Sequence, residues 1–151
     1  MVRHGAVAGV GGTTSDQHLT EKSLTMHTFT AQERAYLAEP RLGRLATVDR
    51  RGRPHVVPTG FHFDPVEGVI AIGGHNLAAT KKFRDARANP HVAFVVDDLV
   101  STNPWQARGV EVRGEAQTFA EGGERLGPGF GAAWIQIIPT RIVAWGLDPT
   151  S

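Results

Sequence analysis

The chain has 151 residues, which is enough for one domain with a single core and too few for a two-domain enzyme. Its 16 basic and 15 acidic residues nearly cancel, which gives no electrostatic support for binding to nucleic acid or to a membrane surface. The expected partner is therefore a small molecule. Cysteine is absent, which excludes disulfides, thiolate zinc sites and cysteine nucleophiles, so redox chemistry would require a bound cofactor.

The first part of the chain has no hydrophobic period. Residues 1–27 mix glycine, serine, threonine and histidine, which predicts a flexible extension. Residues 6–12 are too short and too rich in glycine for a signal-peptide core, and no apolar run reaches the ~20 residues of a membrane span. We therefore expect a cytoplasmic protein. The folded domain is predicted to occupy residues 28–151 and to begin with a helix whose capping box pairs Thr30 with Glu33.

From Leu42 onward the pattern is that of strands. LGRLATV alternates, and Arg50 to Arg53 form a turn into a second strand, PHVVPTGFHF. VIAIGG is predicted as the third strand, and HVAFVVDD, which is almost continuously apolar, as a central strand. GVEVRGEAQTF alternates like a half-buried antiparallel strand, and Pro139 marks a bend or an edge position within a last pair of strand segments. Together the segments predict a mainly β fold, a six-stranded antiparallel barrel with a few short helices.

The segment from Gly73 to Pro90 has the pattern of a strand that ends in glycines and opens into a basic helix. The amide hydrogens and the positive dipole end of a helix start attract anions, and Thr80, Lys81 and Lys82 add a hydroxyl group and two charges. Two interpretations remain open from this segment alone: a phosphate site, or a surface helix with solvated lysines. The segment has neither the GxGxxG nor the P-loop pattern, which excludes those two kinds of nucleotide site.

Other kinds of chemistry find little support in the sequence. Ser101 lies outside any GxSxG pattern, and the seven histidines show no HxH or HExxH spacing, so neither a hydrolase nor a metal site is predicted. Tyr36 is the only tyrosine and lies in the first predicted helix. The sequence therefore assigns no catalytic acid or base.

Three segments carry a resemblance to a known family. RLATVDRRGRPHVVPTGFHFD, TKKFRDARANPHVAFVVDD and GVEVRGEAQ follow one another in this order. In that order the chain resembles the pyridoxamine 5′-phosphate oxidase-like split-barrel flavoproteins from about Phe29 to Asp148. It is most similar to the small members that use the deazaflavin coenzyme F420, on the basis of GGHN before TKKFRD, of PWQARGVEVRG and of IVAWGLD. The resemblance implies a homodimer with cofactor sites at the interface.

The resemblance also implies where the cofactor lies. It places the phosphate on the hydroxyl and basic residues of the helix start, and the tricyclic ring against the second strand. Thr59 and Gly60 are the expected amide donors near the ring, because Pro58 has no amide hydrogen. Val56 stands where flavin-using oxidases tend to carry a phosphate-binding arginine, which weakens the case for flavin mononucleotide (FMN).

Two further places are candidates for cofactor contact. His55 is expected either at the cofactor or facing solvent, since strand alternation permits both. Trp105 and Arg108 lie in a loop that in the family crosses the dimer interface, where they would contact the cofactor or simply pack between subunits. The complete set of candidate cofactor-binding residues is His55, Val57, Pro58, Thr59, Gly60, Gly74, His75, Asn76, Thr80, Lys81, Lys82, Trp105 and Arg108.

The activity implied by the resemblance is hydride transfer between F420 and a small unsaturated organic substrate, with water as a sufficient proton source. An FMN-dependent oxidoreductase and a non-catalytic flavin-binding or F420-binding protein stay open as alternatives. The sequence does not indicate which substrate is reduced.

Overall fold

The computed structural model describes residues 28–147, so the predicted flexible extension at residues 1–27 lies outside the described residues. Two α-helices and seven β-strands form the domain, with 3-10 turns at Leu77–Ala79 and Gly123–Leu126. The helices are α1 (Ala31–Ala38) and α2 (Lys81–Ala88); the strands are β1 (Gly43–Val48), β2 (Pro54–Thr59), β3 (His62–Asp64), β4 (Val69–Ile72), β5 (His91–Thr102), β6 (Trp105–Phe119) and β7 (Trp134–Trp145).

All strand pairs are antiparallel, in the order β2-β1-β5-β6-β7-β4-β3. The predicted mainly β, antiparallel architecture is confirmed, with seven strands rather than the expected six. The extra strand arises because Gly60 and Phe61 interrupt the second predicted strand. Its two halves, β2 and β3, lie at opposite ends of the strand order.

The last strand also differs from the prediction of a pair of segments. β7 is continuous, and Pro139 lies opposite Gly114 at a register shift between β6 and β7. Thr140 is the additional residue at this bulge, and its hydroxyl donates to the carbonyl of Arg113 at 3.2 Å. A bulge accommodates proline inside a sheet because the proline has no amide to offer to the ladder.

Helix α1 begins as predicted. The Glu33 amide donates to the Thr30 hydroxyl and the Thr30 amide donates to the Glu33 carboxylate, both at 3.2 Å, so the capping box is confirmed. The helix buries Tyr36 and Leu37 against the sheet. Neither helix within residues 28–147 has the length and apolar character needed to cross a membrane.

Helix α2 covers the sheet next to β1 and β6. It buries Phe83 and Ala86, together with the carboxylate of Asp85, which is only 6% exposed. Thr47 of β1, which is fully buried, donates its hydroxyl hydrogen to Asp85 at 3.0 Å. This hydrogen bond ties the helix to the strand beneath it, so the position of the helix start is set by β1.

The core lies between these elements and is centred on β5. As predicted, β5 is an interior strand, with β1 on one side and β6 on the other. The ring of its buried Phe94 lies over Gly43 of β1, where a Cβ atom would come within 2.0 Å of the ring. Phe61 packs edge-on against the same ring at 5.1 Å between centroids. The break between β2 and β3 is therefore held against the core.

Candidate functional site

The start of α2 is built by Thr80. Its hydroxyl accepts a hydrogen bond from the Phe83 amide at 3.4 Å and donates one to the Leu77 carbonyl at 2.6 Å. Thr80 is therefore the N-cap of the helix, and its hydroxyl proton is already engaged. The amides of Lys81 and Lys82 have no hydrogen-bond partner among residues 28–147, so they are the free donors of the first turn.

The two lysines differ in their surroundings. The Lys81 ammonium lies 3.2 Å from Asp85 and 3.8 Å from Asp49, so two carboxylates already neutralise it. Lys82 is half-buried and has no ion pair with any residue from 28 to 147. Of the two predicted phosphate ligands, Lys82 is therefore the one whose charge is not compensated within the described part of the chain.

Strand β2 presents the residues predicted to face the ring. His55, Val57 and Thr59 lie on the side of β2 that also carries the buried residues of β1, whereas Val56 and Pro58 face outward. His55 is half-buried on this inner face, and of its two expected positions, at the cofactor or facing solvent, full exposure to solvent is not observed. Its Nδ1 atom is buried without a hydrogen-bond partner among the residues that the structure describes. A buried ring nitrogen without a partner is uncommon and leaves a hydrogen-bonding position open.

The expected amide donors follow at the end of β2. Thr59 is 8% exposed and its hydroxyl donates to the Gly60 carbonyl at 3.1 Å. Gly60 lines a cavity of about 450 Å³ together with Phe61, Phe130 and the end of α1. β2 has a strand partner only on its β1 side within residues 28–147, so its other edge presents backbone groups outward.

Gly74, His75 and Asn76 form the connection between β4 and the 3-10 turn that precedes α2. The Gly74 carbonyl accepts a hydrogen bond from the Gly131 amide at 2.9 Å, which holds this connection against the segment before β7. A Cβ on Gly131 would come within 2.8 Å of the His75 carbonyl. His75 and Asn76 are exposed. They connect β4 to the turn that precedes the helix, and their contact with a cofactor stays a prediction.

Trp105 and Arg108 were predicted to lie in a loop, and this prediction is wrong: both belong to strand β6, because β5 and β6 stay paired up to the turn at residues 103–104. Trp105 is 70% exposed, and with Arg108 and Tyr36 it lines a cavity of about 620 Å³. Arg108 donates to the two carboxylate oxygens of Asp98 at 2.8 and 3.1 Å. The Arg108 guanidinium, for which either cofactor contact or packing between subunits was expected, is engaged with Asp98 within the chain.

A hydrogen-bonded cluster of Tyr36, Asp98 and Arg108 was not predicted from the sequence. The Tyr36 hydroxyl donates to Asp98 at 2.7 Å, and burial, followed by this hydrogen bond, raises the pKa of Tyr36 above its ordinary value of 10.0. The Arg108 hydrogen bond lowers the pKa of the Asp98 carboxyl. The pairing of Asp98 with Arg108 could have been predicted from the β5–β6 hairpin, because the register of this hairpin places the two residues directly opposite each other.

Some of the predicted site residues lie at different places on the chain. Gly60, Lys81 and the Trp105–Arg108 pair each line a different cavity. No group of three or more histidine, aspartate or glutamate side chains that could hold a metal ion occurs in the described range 28–147.

Comparison with known proteins identifies the family. The sequence profile described as pyridoxamine 5′-phosphate oxidase matches residues 29–138. The chain belongs to this family. The resemblance drawn from the three sequence segments is therefore confirmed, and with it the split-barrel fold. A family member from Streptomyces rimosus subsp. rimosus, named 5a,11a-dehydrotetracycline/5a,11a-dehydrooxytetracycline reductase, is 42% identical over 120 residues, which cover 80% of this chain and 84% of that protein.

Solved structures share the fold of this family member. A structure named F420 reductase aligns with a TM-score of 0.59 and 23% identity, covering 76% of this chain and 98% of the other. An FAD-binding protein from Mycobacterium smegmatis aligns with a TM-score of 0.58 and 24% identity, covering 78% and 96% of the two chains. At these identities the likeness establishes the common architecture.

Proposed function

We propose that this protein is an F420-dependent reductase that transfers hydride to a carbon–carbon double bond of an unsaturated organic substrate. The observation that carries the proposal is the 42% identity to a protein named as a reductase of 5a,11a-dehydro compounds. Reduction of a dehydro compound adds a hydride to one carbon and a proton to the other. The split-barrel fold that this chain shares with an F420 reductase is consistent with that chemistry.

The helix start supplies the groups that an anionic cofactor phosphate requires. Thr80 caps the helix, the Lys81 and Lys82 amides have no hydrogen-bond partner in the described range, and the Lys82 ammonium adds a positive charge that no described carboxylate pairs with. Val56 lies on the outward face of β2 and is 62% exposed. Because this residue is a valine, position 56 supplies no guanidinium to a phosphate. The donor set at the helix start fits a phosphorylated cofactor. The valine at position 56, where flavin-using oxidases tend to carry an arginine, favours F420 over FMN.

Strand β2 supplies the surface for the ring. The free edge of β2 offers backbone donors and acceptors, and the Nδ1 atom of His55 provides a hydrogen-bonding position on the inner face. When bound, a reduced deazaflavin supplies the hydride. The role of this chain is to hold and orient the ring while the acceptor approaches.

We propose further that the site is completed in a homodimer. Within one chain the candidate residues line separate cavities, and Trp105 and Val56 are exposed apolar side chains. A second copy packed on the β2 edge would cover Val56 and bring another surface to the cofactor. This arrangement supplies the walls that a single barrel does not provide.

The proton for the reduction is assigned to solvent. Tyr36, the only tyrosine in the chain, is 4% exposed, donates its hydroxyl proton to Asp98 and has a raised pKa. A hydroxyl held in this way is a poor proton donor to a substrate. Water entering the open site fulfils that role.

The second candidate function is FMN-dependent oxidation or reduction. It is favoured by membership in a family described as pyridoxamine 5′-phosphate oxidase. The two candidates differ in the cofactor that supports turnover, so one assay separates them.

The assay uses reduced F420 and 5a,11a-dehydrotetracycline, with the purified full chain. We expect the fluorescence of oxidised F420 to appear only when protein and acceptor are both present. The matched reaction contains FMN and a chemical reductant in place of reduced F420. Turnover in the FMN reaction alone would overturn the proposal. If this acceptor is not reduced but a related dehydro compound oxidises reduced F420, the proposed reaction class is retained and the substrate is a different dehydro compound.

A further inference from the structure

A groove between the β1–β2 turn and one flank of α2 concentrates positive charge. It has a volume of about 390 Å³ and is open to solvent. Six basic side chains line it: Arg50, Arg51, Arg53, Lys81, Arg84 and Arg87. The whole chain has almost equal numbers of basic and acidic residues, so this surplus is a local feature and does not reflect the composition.

The two acidic residues of the groove are already engaged. Asp49 accepts hydrogen bonds from the amides of Arg51 and Arg53 at 2.9 Å and from the Arg53 side chain at 2.8 Å. These bonds, the Arg53 amide first, lower the pKa of Asp49 to about 2, so the carboxylate stays ionised. Asp85 is buried and accepts from Thr47 and Lys81. The two carboxylates therefore compensate Arg53 and Lys81.

Four arginines of the groove have no carboxylate partner. Arg50, Arg51, Arg84 and Arg87 form no ion pair with any residue in the described range. Elsewhere in the described range, Arg41, Arg44, Arg108 and Arg113 are each paired with a carboxylate, whereas Arg34, Arg125 and Arg141 are not. The groove is distinguished because it brings four unpaired arginines together around one concave surface. Unpaired guanidinium groups gathered around a concave surface repel one another, and an anion relieves that repulsion. The planar fork of arginine suits phosphate and carboxylate oxygens in particular.

We propose that this groove binds a polyanion that carries two or more phosphate or carboxylate groups. The distance along α2 from Lys81 to Arg87 is roughly 9 Å at the rise of an α-helix, which exceeds the reach of a single phosphate. Arginines of the β1–β2 turn face the same groove from its other side. An extended anion would contact both walls.

The polyanion has two sources that share this chemistry. Lys81 lies both at the helix start and in the groove, so an anionic tail of a cofactor bound at the helix start could extend into it. That source rests on the proposed function. The other source is a free polyphosphate or polycarboxylate, which requires no cofactor.

The first test is calorimetric titration of the purified full chain with tripolyphosphate and with orthophosphate. Tripolyphosphate is expected to bind more tightly, and Arg84→Ala to weaken its binding about tenfold through loss of charge-assisted contacts. The control is Arg141→Ala, which removes an exposed arginine of β7 that has no ion pair in the described range. Absence of tripolyphosphate binding at millimolar concentration, or equal losses in the two variants, would overturn the proposal.

The second test distinguishes the sources by comparing F420 with the same deazaflavin lacking its phosphate and tail. If Arg84→Ala weakens binding of F420 and not of the truncated compound, the groove takes the cofactor tail. If the variant weakens tripolyphosphate binding and leaves F420 unchanged, the groove takes a free polyanion. If wild-type protein binds tripolyphosphate but not F420, the proposal of a polyanion-binding groove is supported and the proposed F420-dependent function is wrong.

Discussion

At the scale of single residues, Lys81 and Lys82 show how neighbours in sequence acquire different roles. Lys81 is compensated by Asp49 and Asp85, whereas Lys82 has no ion pair within residues 28–147. Replacement of Lys81 would also leave the buried Asp85 carboxylate with one partner fewer. A substitution of Lys81 would therefore change both the stability of the fold and the binding of the cofactor. A substitution of Lys82 would change cofactor binding without disturbing an ion pair of the fold.

We predict that Lys82→Ala weakens F420 binding about tenfold, because it removes a charge-assisted contact to the phosphate. The measurement is a fluorescence titration of F420 with each variant. Lys82→Arg, which keeps the positive charge, serves as the matched control and should retain most of the affinity. Equal affinity of wild type and Lys82→Ala would show that Lys82 is a solvated surface residue without a role in cofactor binding.

Tyr36 provides a second test at a single residue. Its pKa lies above 10.0 because burial and the hydrogen bond to Asp98 favour the neutral phenol. Since the folded-state pKa exceeds the unfolded one, the neutral phenol stabilises the fold below pH ~10, and this contribution is lost as the pH rises further. We predict that phenolate absorbance does not appear near pH 10 in the folded protein.

The chain contains one tyrosine, so ultraviolet absorbance reports this group directly. In Asp98→Asn the carboxylate charge is absent, and the titration of Tyr36 should move to lower pH. Phenolate formation at pH 10 with the fold intact, as followed by circular dichroism, would contradict the assignment.

At the scale of elements, the position of α2 depends on β1. The link is the hydrogen bond from Thr47 to Asp85, between a fully buried hydroxyl and a carboxylate that is 6% exposed. A buried carboxylate that loses a donor is costly, because no water replaces the donor. The helix whose start we propose to bind the cofactor phosphate is therefore stabilised from within the core.

We predict that Thr47→Val lowers the free energy of unfolding by about 2 kcal/mol, because valine keeps the shape of threonine and removes the donor. Urea unfolding measures the change. Thr102→Val at the exposed end of β5 is the matched control and should change stability by less than about 0.5 kcal/mol. Similar stabilities of the two variants would show that the hydrogen bond does not hold the helix.

The elements differ in how far the sequence predicted them. The capping box of α1, the glycine turn after β1 and the interior position of β5 follow from local chemistry, and all three are observed. The break at Gly60 was missed because PHVVPTGFHF has strand-like composition on both sides of the glycine. Pro54 and Pro58 did carry a signal, since prolines inside a strand favour an edge position, where β2 is found.

At the scale of the whole molecule, the candidate site was predictable only in part. The sequence indicated Thr80, Lys81 and Lys82 because a helix start and its charges are local features. The Tyr36–Asp98 contact and the arginines of the β1–β2 turn beside α2 depend on tertiary packing between distant segments. Spacing in a single sequence does not report such contacts.

For the whole molecule, the prediction concerns the assembly of two copies into a dimer. If two copies pack on the β2 edge, Val56→Asp places a charge in the interface and should convert a dimer into a monomer in light-scattering measurements. Val66→Asp introduces the same charge at a residue that is 88% exposed in the β3–β4 turn, and should leave the dimer intact. A wild-type protein that is monomeric at working concentrations would contradict the proposed composite site.

The central claim, that this split barrel uses a deazaflavin, is tested most directly by titrating the purified protein with F420 and with FMN side by side. We expect saturable binding of F420 at micromolar concentration and much weaker binding of FMN. Protein that is yellow after purification, with tightly bound FMN and no affinity for F420, would contradict it.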